Sequence, residues 1–300
     1  MRVILYTDSH HSEVAPKSRC DDYGAAIAAK LDWISDYGNE IGADLFIDNG
    51  DLTDRATQSI EELMTLHRIH EKRKAPTITV VGNHPIRGNV NLWKPKSGVY
   101  ALSKLLKPGH FEILDAWKGD ITVAGKKIRL HHTDLMRRPI TIKGWKHILW
   151  SDYDHGGADL VMVGHYHPRQ GIHRVNGAWF VSPGALSRGS LAEDNLKRVP
   201  KIVVIDIGAG GQIDFKWVTV PHRPAAEVFD TSALLTVQDV IQDHEALQEC
   251  VNTLKEMESE GETTVSVYDL LKLVRGGMAI SDEAYDLAVE KLKEVVDAGG

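Results

Sequence analysis

The sequence predicts a layered α/β (α+β) domain followed by a small helical C-terminal region, and three patterns carry that reading. Short apolar runs of strand length alternate with amphipathic helical stretches in the first part of the chain. Five of these runs lead directly into aspartate, asparagine or histidine. Past Pro221-His222-Arg223-Pro224 the pattern becomes helical only, which divides the chain into residues 1–225 and 226–300.

Taken in order, Arg2–Tyr6 is an apolar strand that meets Asp8 at once. From about Asp22 to Ile41, Ile27, Leu31, Ile34 and Ile41 recur on one side of a helix. Asp44–Asp48 is the next strand and ends at Gly50-Asp51. Ser59 caps a helix running to about Lys74, with Glu62 three residues on completing a capping box. Thr77–Val81 ends on Gly82-Asn83-His84, Lys127–Leu130 on His131-His132, and Leu160–Val163 on Gly164-His165-Tyr166-His167. Trp179–Val181 and Lys201–Ile207 are further strands. Amphipathic helices are expected from Thr236 to about Glu260, over Tyr268–Gly276 and over Asp282–Asp297, with Val240, Leu247, Val251 and Leu254 at helical spacing.

Composition sets the outer bounds. Hydrophobic residues make up 42% and charged residues 26%, which excludes a mostly disordered or fibrous chain. The two cysteines, Cys20 and Cys250, provide neither a disulfide framework nor a zinc cluster. No apolar run approaches the ~18 residues of a membrane span. The first apolar run is too short for a secretory signal, so the expected location is cytoplasmic, with no membrane partner. Net charge is −7, but residues 231–300 carry −10 and the remainder +3. An asymmetry of this kind points to two parts with different partners.

The polar clusters at the strand ends are Asp8-x-His10, Gly50-Asp51-x-x-Asp54, Gly82-Asn83-His84, His131-His132 and Gly164-His165-x-His167. Sites in open α/β sheets lie beyond the carboxyl ends of strands, so these clusters are expected to converge. Singly, each has an ordinary reading: Asp8 and His10 as a cap and a surface imidazole, Gly50-Asp51 and Gly82-Asn83 as turns. With 26 glycines and 15 histidines, chance alone produces a Gly-His-x-His about 0.06 times in this length. Several such clusters at strand ends are a much stronger signal. Carboxylates mixed with imidazoles suit Mn²⁺, Fe²⁺ or Zn²⁺, and the absence of cysteine argues against a structural zinc site. Two ligand sets sharing one carboxylate would hold two ions ~3.5–4 Å apart, close enough for one phosphate to bridge them. The remaining histidines, including His11, His67, His70, His110, His147, His155 and His173, are read as ordinary residues, most of them on the surface.

From Met1 to about Ile207 this series resembles the calcineurin-like metallophosphoesterase superfamily. The resemblance implies a two-layered β-sandwich flanked by helices. It implies that Asp8, His10, Asp51 and His167 hold one metal, and that Asp51, Asn83, His131 and His165 hold the other, with Asp51 bridging. His84 would contact the scissile phosphate and help the leaving oxygen depart, and Asp54 would orient a histidine. Two departures stand out. The family usually places an acid after its Asn-His pair, where this chain has Pro85. The histidine after the fourth strand is doubled: His131 is preferred because it directly ends the strand in a His-x-Thr pattern, with His132 as the alternative. The implied activity is di-metal hydrolysis of phosphodiesters by a metal-activated hydroxide, with Mn²⁺ first among the cofactors and Mg²⁺, Fe²⁺ or Zn²⁺ after it.

The stretch Ser182–Gly189, the strand Lys201–Asp206 and the exit Val218–Pro224 look like those of the SbcD-type nucleases of DNA double-strand-break repair. That closer resemblance implies a DNA substrate, exo- or endonuclease activity and an SMC-like ATPase partner. Arg137, Arg138, Lys143, Lys146, Arg169, Arg188, Lys197 and Arg198 are the basic residues placed to meet phosphates. The acidic tail would be repelled by DNA and is expected to be a docking or homodimerisation element, the alternative being helices that simply cover one side of the sheet. The competing expectation is a small-molecule phosphodiesterase or phosphatase of the same superfamily.

Overall fold

The computed structural model describes residues 1–86, 97–139 and 146–230. The chain divides into two compact units, Met1–Asp230 and Thr231–Gly300, and the expected tail helices lie outside the described residues.

Two mixed sheets form the first unit. One has the order β13 (Ile213–Thr219), β12 (Lys201–Ile207), β1 (Arg2–Tyr6), β2 (Leu45–Asp48), β3 (Thr77–Thr79) and β4 (Phe111–Ile113). Strands β1 to β4 run parallel, while β12 is antiparallel to both β1 and β13. The other has the order β10 (Gly171–Val175), β11 (Ala178–Ser182), β9 (Leu160–Gly164), β6 (Lys126–His132) and β5 (Lys118–Val123). Its three central strands are parallel and its edges antiparallel. A short parallel pair, β7 (Leu135–Met136) with β8 (Ile148–Leu149), stands apart.

Helices α1 (Tyr23–Ile41), α2 (Ile60–Glu71) and α3 (Gly98–Leu105) follow β1, β2 and β3, and two short helices, α4 (Glu193–Lys197) and α5 (Ala225–Val228), come late. Asp22 caps α1 by accepting from the Ala25 amide, and Ser59 with Glu62 forms the expected capping box on α2. Helix α2 ends at Glu71, short of the expected Lys74. The reason is Arg73, whose guanidinium is drawn inward to Ser35 Oγ, the Tyr6 hydroxyl and Thr77 Oγ1.

The strands alternate between two cores. Val3 and Leu5 pack between the sheets with Ile47, Ile128, Leu130 and Met162. Ile4 and Tyr6 face the helices with Ile27, Leu31, Leu66 and Ile69. Burial on both faces is why these strands read as unbroken apolar runs. The outer face of the second sheet is closed by Trp150 and Leu135 over Val161, Val163 and Phe180. Among the described residues no helix is long and apolar enough to cross a membrane.

Candidate metal centre

The carboxyl ends of the central strands of both sheets meet at one place. Register sets Tyr6 beside Asp48 in the first sheet and His132 beside Gly164 in the second. Asn49 then joins the sheets: its amide donates to the His131 carbonyl (3.2 Å), and its own carbonyl accepts from His132 Nδ1 (2.6 Å). Beyond the strands the loops continue in step, with Asp8 N donating to Gly50 O, His10 N to Asp51 O, and Asp51 N to Val81 O.

This convergence bends the backbone. Among the described residues, the non-glycine positions at positive φ are Asp8 (53°), His10 (47°), Asp51 (53°), Ala124, His165 (78°) and Asn176. Four of the six are candidate ligands. Left-handed backbone at non-glycine residues is disfavoured, and strain of this kind collects at functional sites. The glycines are needed for a different reason. A Cβ on Gly82 would lie 2.2 Å from Asp51 Oδ1, and one on Gly50 would lie 2.3 Å from His132 Nδ1.

Each central carboxylate turns one oxygen toward the imidazoles. Asp8 Oδ2 accepts from Thr7 Oγ1 (2.7 Å) and the His165 amide (3.1 Å). Its Oδ1 is buried with no hydrogen-bond partner and faces the Nε2 atoms of His10 (3.8 Å), His132 (3.7 Å) and His167 (3.7 Å). Asp51 Oδ1 accepts from the His84 amide (3.0 Å), while its Oδ2 faces His132 Nε2 at 3.0 Å and His10 Nε2 at 3.7 Å. His10 and His167 bring their Nε2 atoms within 3.0 Å of each other. On the far side His165 Nδ1 lies 2.8 Å from Asn83 Oδ1. A buried carboxylate oxygen without a donor, ringed by imidazole nitrogens, fits a divalent cation. Asp8, His10 and His167 form one group of converging ligand atoms and Asp51, His132 and His165 another. His10, Asp51 and His84 also converge.

The structure puts His132, not the preferred His131, into this cluster. Ile128 and Leu130 point into the core between the sheets, so His132 shares their face of β6 and lands beside Asp51. His131 points to the opposite face, with Nδ1 3.1 Å from Thr133 Oγ1 and its ring against Tyr153. Hydrogen bonds from Nδ1 to Asn49 O on His132 and to Asp54 Oδ1 on His10 aim both Nε2 atoms inward.

Charge is concentrated here. Burial opposes ionisation of Asp8, but His132, then His10 and His167, hold its carboxyl well below the usual range. Burial works against His10 as well, yet Asp54, Asp8 and Asp51 push it up to about 10. His132 is pushed up to about 9 against its burial by Asp51 and Asp8. Burial pushes His167 down to about 4. Without metal, then, protons on His10 and His132 balance the two aspartates.

Asp54 replaces the acid missing after Asn83-His84. Its Oδ1 lies 3.2 Å from His84 Nδ1 and 3.2 Å from His10 Nδ1, and its carbonyl is 3.0 Å from His84 Nδ1. These hydrogen bonds hold Asp54 well below the ordinary carboxylate range, and Asp54 in turn raises His84. Two further acids were not anticipated. Asp134 Oδ1 lies 3.3 Å from His165 Nε2. Asp48, the last residue of β2, is fully buried, and burial pushes its carboxyl up to about 8.

The family described as calcineurin-like phosphoesterase matches residues 1–203. No protein of curated function matches the chain. Among solved structures, the chain is similar to wild-type Vps29 of Entamoeba histolytica complexed with zinc, at 17% identity and a TM-score of 0.37, covering 73% of this chain and 99% of that one. It is also similar to Vps29 of Chaetomium thermophilum, at 15% identity and a TM-score of 0.37, covering 74% and 100%.

Proposed function

The chain belongs to the calcineurin-like phosphoesterase family and is a metal-dependent phosphoester hydrolase; from that premise we propose that it is a two-metal phosphodiesterase acting on DNA. The observation that carries the two-metal reading is the pair of buried carboxylates, Asp8 and Asp51, each with one oxygen held by a backbone amide and the other turned to imidazoles. In this proposal Asp8, His10, Asp51 and His167 hold one ion, and Asp51, Asn83, His132 and His165 hold the other. When bound, such ions neutralise charge on the phosphoryl oxygens and acidify water.

The rest of the work falls to the chain. His84 stands beside the cluster with Nδ1 fixed by Asp54, which favours its protonated form. It is assigned to donate a proton to the leaving oxygen. Asp54 positions that ring and, through His10 Nδ1, the neighbouring ligand.

DNA as the substrate is supported by the segment after β11. The support is its resemblance to SbcD-type nucleases; in the fold, Leu186 N donates to Thr7 O and Ser187 N to Asp8 O, so the segment packs against the metal centre. Residues 231–300, at −10, are proposed to dock a protein, either an SMC-like ATPase or a second copy.

The test is digestion of end-labelled single- and double-stranded DNA with Mn²⁺, with EDTA as the control and bis-p-nitrophenyl phosphate in parallel. Metal-dependent DNA cleavage is expected. Turnover of the small ester with none of DNA would select a small-molecule phosphodiesterase instead. Metal-loaded protein inert on both would overturn the phosphodiesterase reading.

A further inference from the structure

A cavity of about 430 Å³ opens one residue beyond His167, between Pro168 and the chain around α4 and β12. Four of its lining side chains are cations, Arg169, Lys197, Arg198 and Lys201, and the one carboxylate among them is Asp194. Arg198 is only 6% exposed. Its Nη1 donates to the His167 carbonyl (2.7 Å), and its Nη1 lies 3.4 Å from Asp194 Oδ2. Its Nε is buried and makes no hydrogen bond. Arg169 is fixed by the Pro183 and Val199 carbonyls and lies over the Trp217 ring. Lys197 pairs with the exposed Glu193.

More positive charge lies close by. Arg19, Lys30 and Arg188 are buried, and Asp21 is the carboxylate that pairs with Arg19. Lys30 donates to the Leu186 carbonyl (2.7 Å). Burial, then Arg188, Arg19 and Arg198, push Lys30 down to about 7. Burying cations is costly unless an anion compensates them. Here Arg169 is held by neutral carbonyls alone, which fix its direction without cancelling its charge, while Arg198 is held by the His167 carbonyl and Asn195 Oδ1, with the Asp194 carboxylate nearby. Guanidinium and ammonium groups converging on a cavity match the oxygens of a phosphate.

We infer that this cavity is a second phosphate subsite, which takes the phosphate flanking the scissile one in a substrate that carries more than one. Arg198 ties it to the metal centre through the backbone of His167. The role in catalysis rests on the phosphodiesterase reading; the affinity for phosphate does not.

The experiment therefore has two arms. In the first, sodium pyrophosphate is titrated calorimetrically into the full-length protein in EDTA. Arg198 is buried and its replacement can disturb folding, so the working variant is Lys201→Gln, with its melting curve recorded. Wild type should bind, and Lys201→Gln should bind about tenfold more weakly, the effect of one charge-assisted hydrogen bond. No binding by wild type, or equal binding by the variant, overturns the subsite. In the second arm, the Mn²⁺-loaded enzyme is given thymidine 5′-p-nitrophenyl phosphate with and without a 3′-phosphate. Wild type should prefer the 3′-phosphorylated ester by about tenfold in kcat/KM, and Lys201→Gln should lose that preference. Equal kcat/KM for the two esters in wild type overturns the flanking-phosphate role while leaving the phosphodiesterase reading intact. Failure to cleave either ester by protein that cleaves DNA overturns the flanking-phosphate role, and failure on DNA and every ester overturns the phosphodiesterase reading, whereas pyrophosphate binding weakened in Lys201→Gln still supports an anion site.

Discussion

Loading the centre with metal should expel protons, and the structure allows them to be counted. In the metal-free protein the aspartates push His10 up to about 10 and His132 up to about 9, against the burial of both rings. Both imidazoles therefore carry a charge at pH 7.5, whereas His167, pushed down to about 4 by burial, does not. Only a neutral ring nitrogen can bind a metal, so each charged ligand must give up its proton. At least about two protons should leave per chain, about one with each ion, and the apparent affinity for each ion should rise by up to about tenfold per pH unit between pH 7 and 8.5. The assay is calorimetric titration of Mn²⁺ into EDTA-stripped protein, in buffers of different ionisation enthalpy. His132→Ala should lower the count by about one, and His131→Ala should leave it unchanged, because His131 faces Tyr153. Stability should follow the same protons. Both folded pKa values are raised, so the ion pairs stabilise the apoprotein fully below about pH 6.5, and that contribution is lost as pH climbs through 9 to 10. The melting temperature of the apoprotein should fall over that window while the loaded protein holds. Release of fewer than one proton, or an affinity flat in pH, would refute the charge arrangement described for this centre.

Four other outcomes follow from the same geometry. Asp51→Asn removes the carboxylate that faces both groups of imidazoles, and metal analysis after gel filtration should find neither ion retained. His84→Ala should lower kcat by ~10²–10⁴ with metal content intact; Asp54→Asn removes the hydrogen bond that raises His84, so the alkaline limb of the kcat profile should move to lower pH. Gly82→Ala places a Cβ 2.2 Å from Asp51 Oδ1 at a φ of +87°, and should cost about 1–3 kcal/mol from backbone strain alone, read by melting, together with reduced metal occupancy.

The parts of the fold that were legible in the sequence are those whose burial does not depend on a distant partner. Strands β1, β9 and β12 are apolar on both faces, so Arg2–Tyr6, Leu160–Val163 and Lys201–Ile207 stand out unaided. Strands β5, β10 and β13 do not, because each lies at a sheet edge and exposes part of its length. Lys118–Val123 carries lysine, glycine and aspartate in its first half and is a strand only because β6 supplies its hydrogen bonds. The stop of α2 was hidden for a similar reason. Nothing local to Lys72 ends the helix; the polar pocket formed by Ser35, Tyr6 and Thr77 claims Arg73 from elsewhere in the chain.

The site divides along the same line. The clusters at the strand ends were visible because metal-binding residue types sit where apolar runs stop, and parallel register brings those ends level. The choice between His131 and His132 was also open to the sequence, through parity rather than position. Ile128 and Leu130 are the core residues of their strand, and a period of two carries their face to His132, while Arg129 and His131 go to the other side. The support for His84 obeys no such local rule. With Pro85 where an acid would stand, the sequence around Asn83 offers nothing to hold the ring. The carboxylate comes instead from Asp54, beyond a different strand, and the same oxygen also meets His10. One aspartate thus steadies both a metal ligand and the group assigned to protonate the leaving oxygen, so a change at Asp54 should disturb metal binding and proton transfer together, where a change at His84 should disturb only the second.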